Sequence, residues 1–232
     1  MTDKINAFKN NIKDKKVSVI GIGVSNRPLI HFLAENGAVV TAHDKKTEQE
    51  LGDAAQELKQ KGVRLVLGED YLNGIDGEIV FKTPGLRFDH PALTRARQNG
   101  AHITSEMEVF FELCPASIIA VTGSDGKTTT TTLIYKMLSE AGLKTYLGGN
   151  IGTPLLSRVE EMKESDYVVL ELSSFQLHTM KTSPQVAVVT NITPNHLDYH
   201  KDYAEYIEAK KNILSFQNQD GTAVLNLDNE VT

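Results

Sequence analysis

The sequence predicts an α/β protein built from two parallel-sheet units in series, and three observations point to it. Short β-branched runs alternate with stretches of helical periodicity through most of the 232 residues. Two of the apolar runs lead through glycine-bearing turns into a helix, at Gly21–Asn26 and at Gly123–Lys127. A break at Pro115 separates the first series from a new and more strongly apolar strand.

Val17–Gly21 is a β-branched run ending in glycine, Pro28–Asn36 has helical periodicity closed by Gly37, and Ala38–His43 is strand-like and ends at Asp44. These form one βαβ unit. Glu50–Gly62 reads as a helix, Val63–Leu67 and Gly77–Phe81 as strands, Pro91–Gly100 as a helix, and His102–Ile103 as a short strand. Strands alternating with helices imply a parallel sheet covered on both faces. A helix at Glu106–Cys114 precedes the break, so the domains are expected at 1–114 and 115–232. The second domain opens with the strand Ser117–Thr122 and the helix Lys127–Ala141. It continues with strands at Lys144–Leu147, Tyr167–Leu172 and Val186–Thr190, a helix at Tyr203–Phe216 and a strand at Thr222–Leu227. No internal repeat or low-complexity segment stands out.

Composition excludes several classes of function. Lys and Arg number 24 against 30 Asp and Glu, a formal net charge of -6 without a basic stripe, which argues against a nucleic-acid partner. The polar stretch Met1–Lys16 lacks the apolar run of a signal peptide, and no segment approaches the ~18 apolar residues of a membrane span. A cytoplasmic protein without a membrane span is expected, taken to be a monomer. Cys114 is the only cysteine, which rules out an internal disulfide and a cysteine-built zinc site and leaves a buried free thiol.

The most specific motif is T-G-S-D-G-K-T-T, Thr122–Thr129, between an apolar strand and a helix. Glycines let successive N–H groups point at phosphate oxygens, and the helix N-terminus adds partial positive charge. Lys127 can reach the outer phosphates, and the Thr128 hydroxyl can ligate magnesium. The standard pattern G-x-x-x-x-G-K-[ST] would need glycine where Val121 stands, so this is a shortened P-loop variant starting at Gly123. The ATP-binding residues expected are Gly123, Ser124, Asp125, Gly126, Lys127, Thr128, Thr129 and Thr130. Glu171 ends an apolar strand at the sheet edge where α/β folds bind ligands, a candidate magnesium ligand. The run N-I-T-P-N-H-L-D, Asn191–Asp198, brings His196 to the same edge.

In the first domain G-I-G-V-S-N, Gly21–Asn26, approximates the G-x-G-x-x-G fingerprint of a Rossmann-like unit, with Asn26 in place of the third glycine and Asp44 about 20 residues on. Alone this match is weak, and its plain reading would be NAD binding.

Together these segments resemble the ATP-dependent Mur ligases of bacterial peptidoglycan synthesis, whose hallmark is the shortened loop T-G-x-x-G-K-[ST]-[ST]. The resemblance extends to E-L-S-S-F-Q-L at Glu171–Leu177, G-N-I-G at Gly149–Gly152 and the N-I-T-P-N-H-L-D run, and covers essentially the whole chain. Within the family E-L-S-S-F-Q-L discriminates, and it implies the member that joins D-glutamate to UDP-N-acetylmuramoyl-L-alanine. The resemblance implies ATP cleavage, an acyl phosphate, and Mg2+ at two sites. By similarity, Lys127 steadies the transferred phosphoryl group, Thr128 and Glu171 hold one magnesium, and His196 holds the second. A carbamylated lysine that helps place the second metal matches Lys210 in E-A-K-K, with Lys211 leaving the assignment open by one residue. The first domain is then expected to hold the UDP part of the substrate. Gly23, Val24 and Ser25 would lie near the diphosphate, with Asp44, Lys45 and Lys46 after the second strand and Thr83, Pro84 and Gly85 beside the uracil. Asn150 and Ser173 would join from the central domain.

The family carries a third, C-terminal domain that binds the amino acid. The chain ends at Thr232 in a region resembling the interior of the central domain, so a polypeptide consisting of this chain alone is expected not to make the amide bond. Rival readings are another Mur ligase or a folylpolyglutamate synthase-like ligase, a P-loop kinase, and a catalytically inactive nucleotide-binding module.

Overall fold

The computed structural model describes residues 2–232, which divide into two compact units, the first ending at Val109 and the second running from Phe110 to Thr232. The first opens with helix α1 (Thr2–Ile12) and strand β1 (Lys16–Ile20), followed by α2 (Asn26–Glu35) and β2 (Val39–Asp44). Two short helices, α3 (Glu48–Leu51) and α4 (Asp53–Gln60), lead to β3 (Arg64–Leu67), and β4 (Ile79–Phe81), α5 (Pro91–Gln98) and β5 (His102–Thr104) complete the sheet. The strand order is β3-β2-β1-β4-β5, every pair parallel. The chain leaves β1 in one direction toward β2 and β3 and returns to its other side at β4, so the switch point of the sheet lies between β1 and β4. Ligands of such sheets bind outside the strand carboxyl ends at that point. A core of Ile20, Val80, Leu93 and Ala96, each buried, anchors α5 to the sheet beneath it.

Helix α6 (Glu106–Leu113) leads into the second sheet, whose strands are β6 (Ser117–Thr122), β7 (Thr145–Gly149), β8 (Tyr167–Glu171), β9 (Val186–Val189) and β10 (Thr222–Leu225). Their order is β10-β9-β6-β8-β7, again all parallel. Helix α7 (Lys127–Glu140) follows β6, the four-residue α8 (Ser174–Leu177) follows β8, and α9 (Tyr203–Ser215) links β9 to β10. The central β6 pairs with β8 through Val121↔Glu171 and with β9 through Thr122↔Val189, which sets the ends of three strands side by side. No helix among the described residues is long and apolar enough to cross a membrane.

Several local readings need correction. Helix α1 was not expected in the polar N-terminal stretch, although Ile5, Phe8 and Ile12 are spaced to share one helical face, and Ile5 and Ile12 are buried. The single helix expected over 50–62 is two, because a capping box on Thr47 and Glu50 starts α3 early and Gly52, at φ 55° and ψ -132°, breaks the helix. Leu156–Glu161 forms a 3-10 turn, and α8 is nucleated by a capping box between Ser173 and Gln176 inside a segment read only for its chemistry. The last strand stops at Leu225, where Asn226 turns back to donate its side-chain amide to Thr190 O (2.8 Å).

Candidate functional site

The phosphate-type loop runs from Gly123, just past β6, to Gly126, the N-cap of α7. Gly123 sits at φ 149°, and a Cβ there would run into the Thr190 hydroxyl, so the close approach of the two strand ends requires glycine. The loop is clamped from the β9 side. Ser124 N–H donates to Asn191 O (2.8 Å), and Ser124 Oγ donates to Thr193 O (2.9 Å) and accepts from Thr193 N–H (2.9 Å). Asp125 N–H donates to Asn191 Oδ1 (3.0 Å), while Asp125 O accepts from Thr190 Oγ1 (2.6 Å) and Asn191 Nδ2 (3.1 Å). Ser124 and Asp125 therefore spend backbone donors on rigidity. The donors left for an anion are the N–H groups of the first turn of α7, which no helix can satisfy internally.

Lys127 Nζ bonds Ser124 O (2.9 Å), lying back across the loop. Thr128 Oγ1 donates to Glu171 Oε2 (2.6 Å), and Asn150 Nδ2 donates to Glu171 Oε1 (3.0 Å). Asn150 N–H also donates to Glu171 O (2.8 Å). Glu171 is 2 % exposed, and each of its carboxylate oxygens accepts one of these side-chain hydrogen bonds. The preceding Gly149, at φ 91°, would meet the Glu171 carbonyl with any Cβ, so the close approach of β7 to β8 at this end of the pair requires glycine. Thr128 and Glu171 form a hard-oxygen donor pair of the kind a small divalent cation takes.

Lys210 lies 2 % exposed on α9, beneath the loop. Its Nζ donates to Gly123 O (2.8 Å) and Thr122 Oγ1 (3.2 Å) and sits 4.8 Å from the centre of the Tyr206 ring, one helical turn back. Burial, reinforced by the nearby Lys127 charge and opposed by Glu171, pulls its pKa down to about 7. Lys211, by contrast, is exposed and pairs with Glu208 (3.2 Å). Of the two lysines in E-A-K-K, only Lys210 is buried against the loop.

His196 is placed differently from the others. It is exposed on the loop after β9 with φ 53°, and its ring meets Phe175 edge-on (4.9 Å between centroids) and lies 6.4 Å from the Tyr206 ring. Among the hydrogen bonds and ring contacts of the described residues, none joins His196 to Glu171 or Lys210. Ser173 is occupied as the N-cap of α8, its hydroxyl accepting from Gln176 N–H (3.3 Å). Thr129 is exposed and Thr130 half-buried on the first turn of α7.

In the first unit, Gly23, Val24 and Ser25 are exposed between β1 and α2, with Val24 83 % exposed. Asn26, at the position of the third fingerprint glycine, is buried and donates Nδ2 to Ile20 O (3.0 Å) and Gly21 O (3.1 Å), so it closes the turn from within. Asp44 accepts from Ile22 N–H (2.6 Å) on Oδ2 and from Lys46 N–H (2.9 Å) on Oδ1. Its carboxylate therefore shapes the two loops, while Lys45 and Lys46 are exposed beside it. The loop Thr83–Gly85 follows β4, and a Cβ on Gly21 would come within 3.3 Å of Thr83 Cβ, which puts both loops at the switch point.

Sequence reasoning missed the clamp formed by Thr190, Asn191 and Tyr206, whose hydroxyl shares a 2.9 Å hydrogen bond with Ser124 Oγ. The signal available was the four-residue spacing of Tyr206 and Lys210, which puts both on one face of α9.

Comparison with known proteins adds to this geometry. Residues 121–232 match the Mur ligase middle domain, and residues 15–105 match the MurD-like N-terminal domain of Mur ligases. The chain is 58% identical to the UDP-N-acetylmuramoylalanine–D-glutamate ligase of Clostridium novyi, over 100% of this chain and 51% of that protein. It is 60% identical to the ligase of the same name from Ruminiclostridium cellulolyticum, over 100% of this chain and 50% of that protein. The chain thus spans about half the length of the curated relatives it matches. The fold is shared with the UDP-N-acetylmuramate:L-alanyl-gamma-D-glutamyl-meso-diaminopimelate ligase of Neisseria meningitides, with a TM-score of 0.61 and 20% identity over 94% of this chain and 72% of that one.

Proposed function

Because the chain belongs to the Mur ligase family, we propose that it serves the ATP-dependent joining of D-glutamate to UDP-N-acetylmuramoyl-L-alanine in peptidoglycan synthesis. Residues 1–114 hold the UDP-linked substrate and residues 115–232 hold ATP. The observation that carries this reading is the 2.6 Å hydrogen bond from Thr128 to Glu171, which joins the phosphate loop to the strand opening E-L-S-S-F-Q-L.

A carboxylate is a poor acyl donor. In the proposed reaction the substrate carboxylate attacks the γ-phosphorus of ATP, the bond to the β,γ-bridging oxygen breaks, and ADP leaves. The acyl phosphate so formed is attacked at carbon by the amine of D-glutamate, and phosphate departs as the amide forms. Two anions meet in the first step, so fixed positive charge is what the site must supply. The N–H groups opening α7 receive the phosphates. Lys127 exchanges a neutral carbonyl, Ser124 O, for a charged phosphate oxygen, a stronger acceptor. The clamp from Thr190 to Thr193 holds the loop in shape, so little reorganisation is needed when nucleotide binds.

The oxygens of Thr128 and Glu171 fit Mg2+, and His196 with Lys210 as a carbamate would serve a second ion; bound magnesium would supply charge neutralisation on the transferring phosphoryl group. Lys210 suits carbamate formation because that reaction needs an unprotonated amine, and its surroundings bring the amine's pKa to about 7. Gly23–Ser25, Asp44–Lys46 and Thr83–Gly85 are assigned to the UDP moiety, and Asn150 and Ser173 are assigned to the same substrate from the second unit. With ATP and a UDP-linked sugar as substrates the protein is taken as cytoplasmic, and as a monomer, which sedimentation checks.

Isothermal titration with UDP-N-acetylmuramoyl-L-alanine, beside NAD, tests the reading. Selective binding of the alanyl substrate supports it, whereas binding of NAD alone returns the first unit to a dinucleotide role and sinks the substrate assignment.

A further inference from the structure

Outside the nucleotide site, three metal-ligating side chains converge between α8 and α9. His178 is the C-cap residue of α8, His200 lies on the loop after β9, and Glu205 is in the first turn of α9. Each offers one ligand atom, and these atoms lie within 4.8 Å of one another. His200 Nδ1 is 3.5 Å from Glu205 Oε2, and His178 Nε2 is 3.8 Å from Glu205 Oε1. The two imidazole rings are tilted with centroids 5.4 Å apart. Phe175, Tyr199 and Tyr206 pack around the His200 ring, at 5.8, 5.0 and 5.4 Å between centroids, and close the cluster off with aromatic surface.

We propose that His178, His200 and Glu205 form a binding site for a transition-metal cation of the Zn2+ type, separate from the nucleotide site, which ties α8 to the start of α9.

The donor chemistry selects the ion. Two imidazole nitrogens and one carboxylate oxygen form the set that zinc takes with three protein ligands and a water in the fourth position, whereas Mg2+ prefers oxygen donors throughout. Zinc distances of about 2.0–2.2 Å in tetrahedral geometry put ligand atoms roughly 3.3–3.5 Å apart. The His200–Glu205 separation, to Oε2, already has that value; the His178–Glu205 separation, to the other carboxylate oxygen Oε1, is a few tenths of an ångström longer, and with ligand atoms up to 4.8 Å apart the side chains would draw together around a bound ion.

The surroundings orient the ligands as well. His200 Nε2 lies 3.0 Å from Ser174 Oγ, a buried hydroxyl. The tautomer in which Nε2–H donates to Ser174 is the one that would turn the Nδ1 lone pair toward a cation held beside the carboxylate. Glu205 Oε2 is itself steadied by Lys201 N–H (2.7 Å), so the carboxylate has a fixed direction. Both arrangements are those that hold ligands around protein-bound zinc.

The site has a structural consequence. Helix α8 begins three residues after Glu171, and α9 carries Tyr206 and Lys210, so a bound cation would fix together two elements that shape the nucleotide site.

The test uses the 232-residue chain stripped of metal with a chelator and titrated with ZnCl2 by calorimetry, with Co2+ absorption as the spectroscopic readout of tetrahedral coordination. The expected result is one zinc ion lost per chain in His178→Gln relative to the unsubstituted chain, and retained in His196→Ala. Ser174→Ala should bind about 10- to 100-fold more weakly, as removal of an orienting partner does. That small substitution keeps the test open if the histidine variant fails to fold. No binding by the unsubstituted chain overturns the proposal, as does zinc binding lost in His196→Ala but unchanged in His178→Gln and Ser174→Ala. No nucleotide or sugar substrate is present, so failure here leaves the ligase reading untouched.

Discussion

Replacing Thr128 with valine keeps the shape of the side chain and removes the hydroxyl that donates to Glu171 Oε2 at 2.6 Å. A hydrogen bond to a charged group contributes about 1.5–3 kcal/mol. Thr128 is exposed while Glu171 is buried, so water can partly replace the lost donor and the lower part of that range applies, about 1.5–2 kcal/mol. Asn150 still holds the other carboxylate oxygen, which keeps the acid in place. At 1.4 kcal/mol per decade this is roughly a 10- to 30-fold shift in the folding equilibrium, readable as a lower urea midpoint with an unchanged slope. A second readout separates a structural bond from a metal ligand. ATP without Mg2+ should bind both chains equally, because the N–H groups of α7 and Lys127 are intact. Addition of Mg2+ should tighten ATP binding in the unsubstituted chain and not in Thr128→Val. A variant whose stability moves by less than about 0.5 kcal/mol, or which keeps the full gain from Mg2+, refutes the assignment of Thr128 as the link between loop, acid and metal.

Lys210 predicts a pH dependence of stability. Its pKa in the folded chain, about 7, lies below the free-lysine value of 10.5, so between those values the unfolded chain binds more protons. This contribution to stability is lowest below about pH 7 and rises with pH across the window, by up to about 1.4 kcal/mol per unit; Lys210→Met should lose that slope in denaturant titrations at a series of pH values. Cys114 is half-buried rather than fully buried, and burial pushes its thiol up to about 11, so a thiol reagent at pH 8 should label it far more slowly in the folded chain than after unfolding. Asp44→Ala removes the acceptor for two backbone N–H groups and should cost about 1–3 kcal/mol in stability by chemical denaturation, with loss of UDP-substrate binding, whereas a pure ribose contact would leave stability unchanged.

The fold and much of the site were legible in the chain because their signals are local. Alternation of β-branched runs with 3.6-residue periodicity states a parallel α/β sheet, and G-S-D-G-K-T between strand and helix states a phosphate loop, since backbone bend and helix dipole both arise within a few residues. Glu171 was readable as the last residue of an apolar strand. Helix α1 and the break at Gly52 were weaker signals of the same local kind. What only the tertiary structure decided is which side chains meet across strands far apart in sequence. Nothing in E-A-K-K separates Lys210 from Lys211; the packing of α9 buries one beneath the loop and leaves the other in solvent, and burial alters its proton affinity. Asp44 resembles a ribose-binding acid in sequence, yet the approach of β1 and β2 gives both its oxygens backbone partners. His178, His200 and Glu205 are 22 and 5 residues apart by their numbering in the chain and become neighbours only where α8 packs on α9. Local geometry is written in short-range backbone preferences, whereas protonation, ligand sets and hydrogen-bond partners depend on distances that exist only once the sheet has closed.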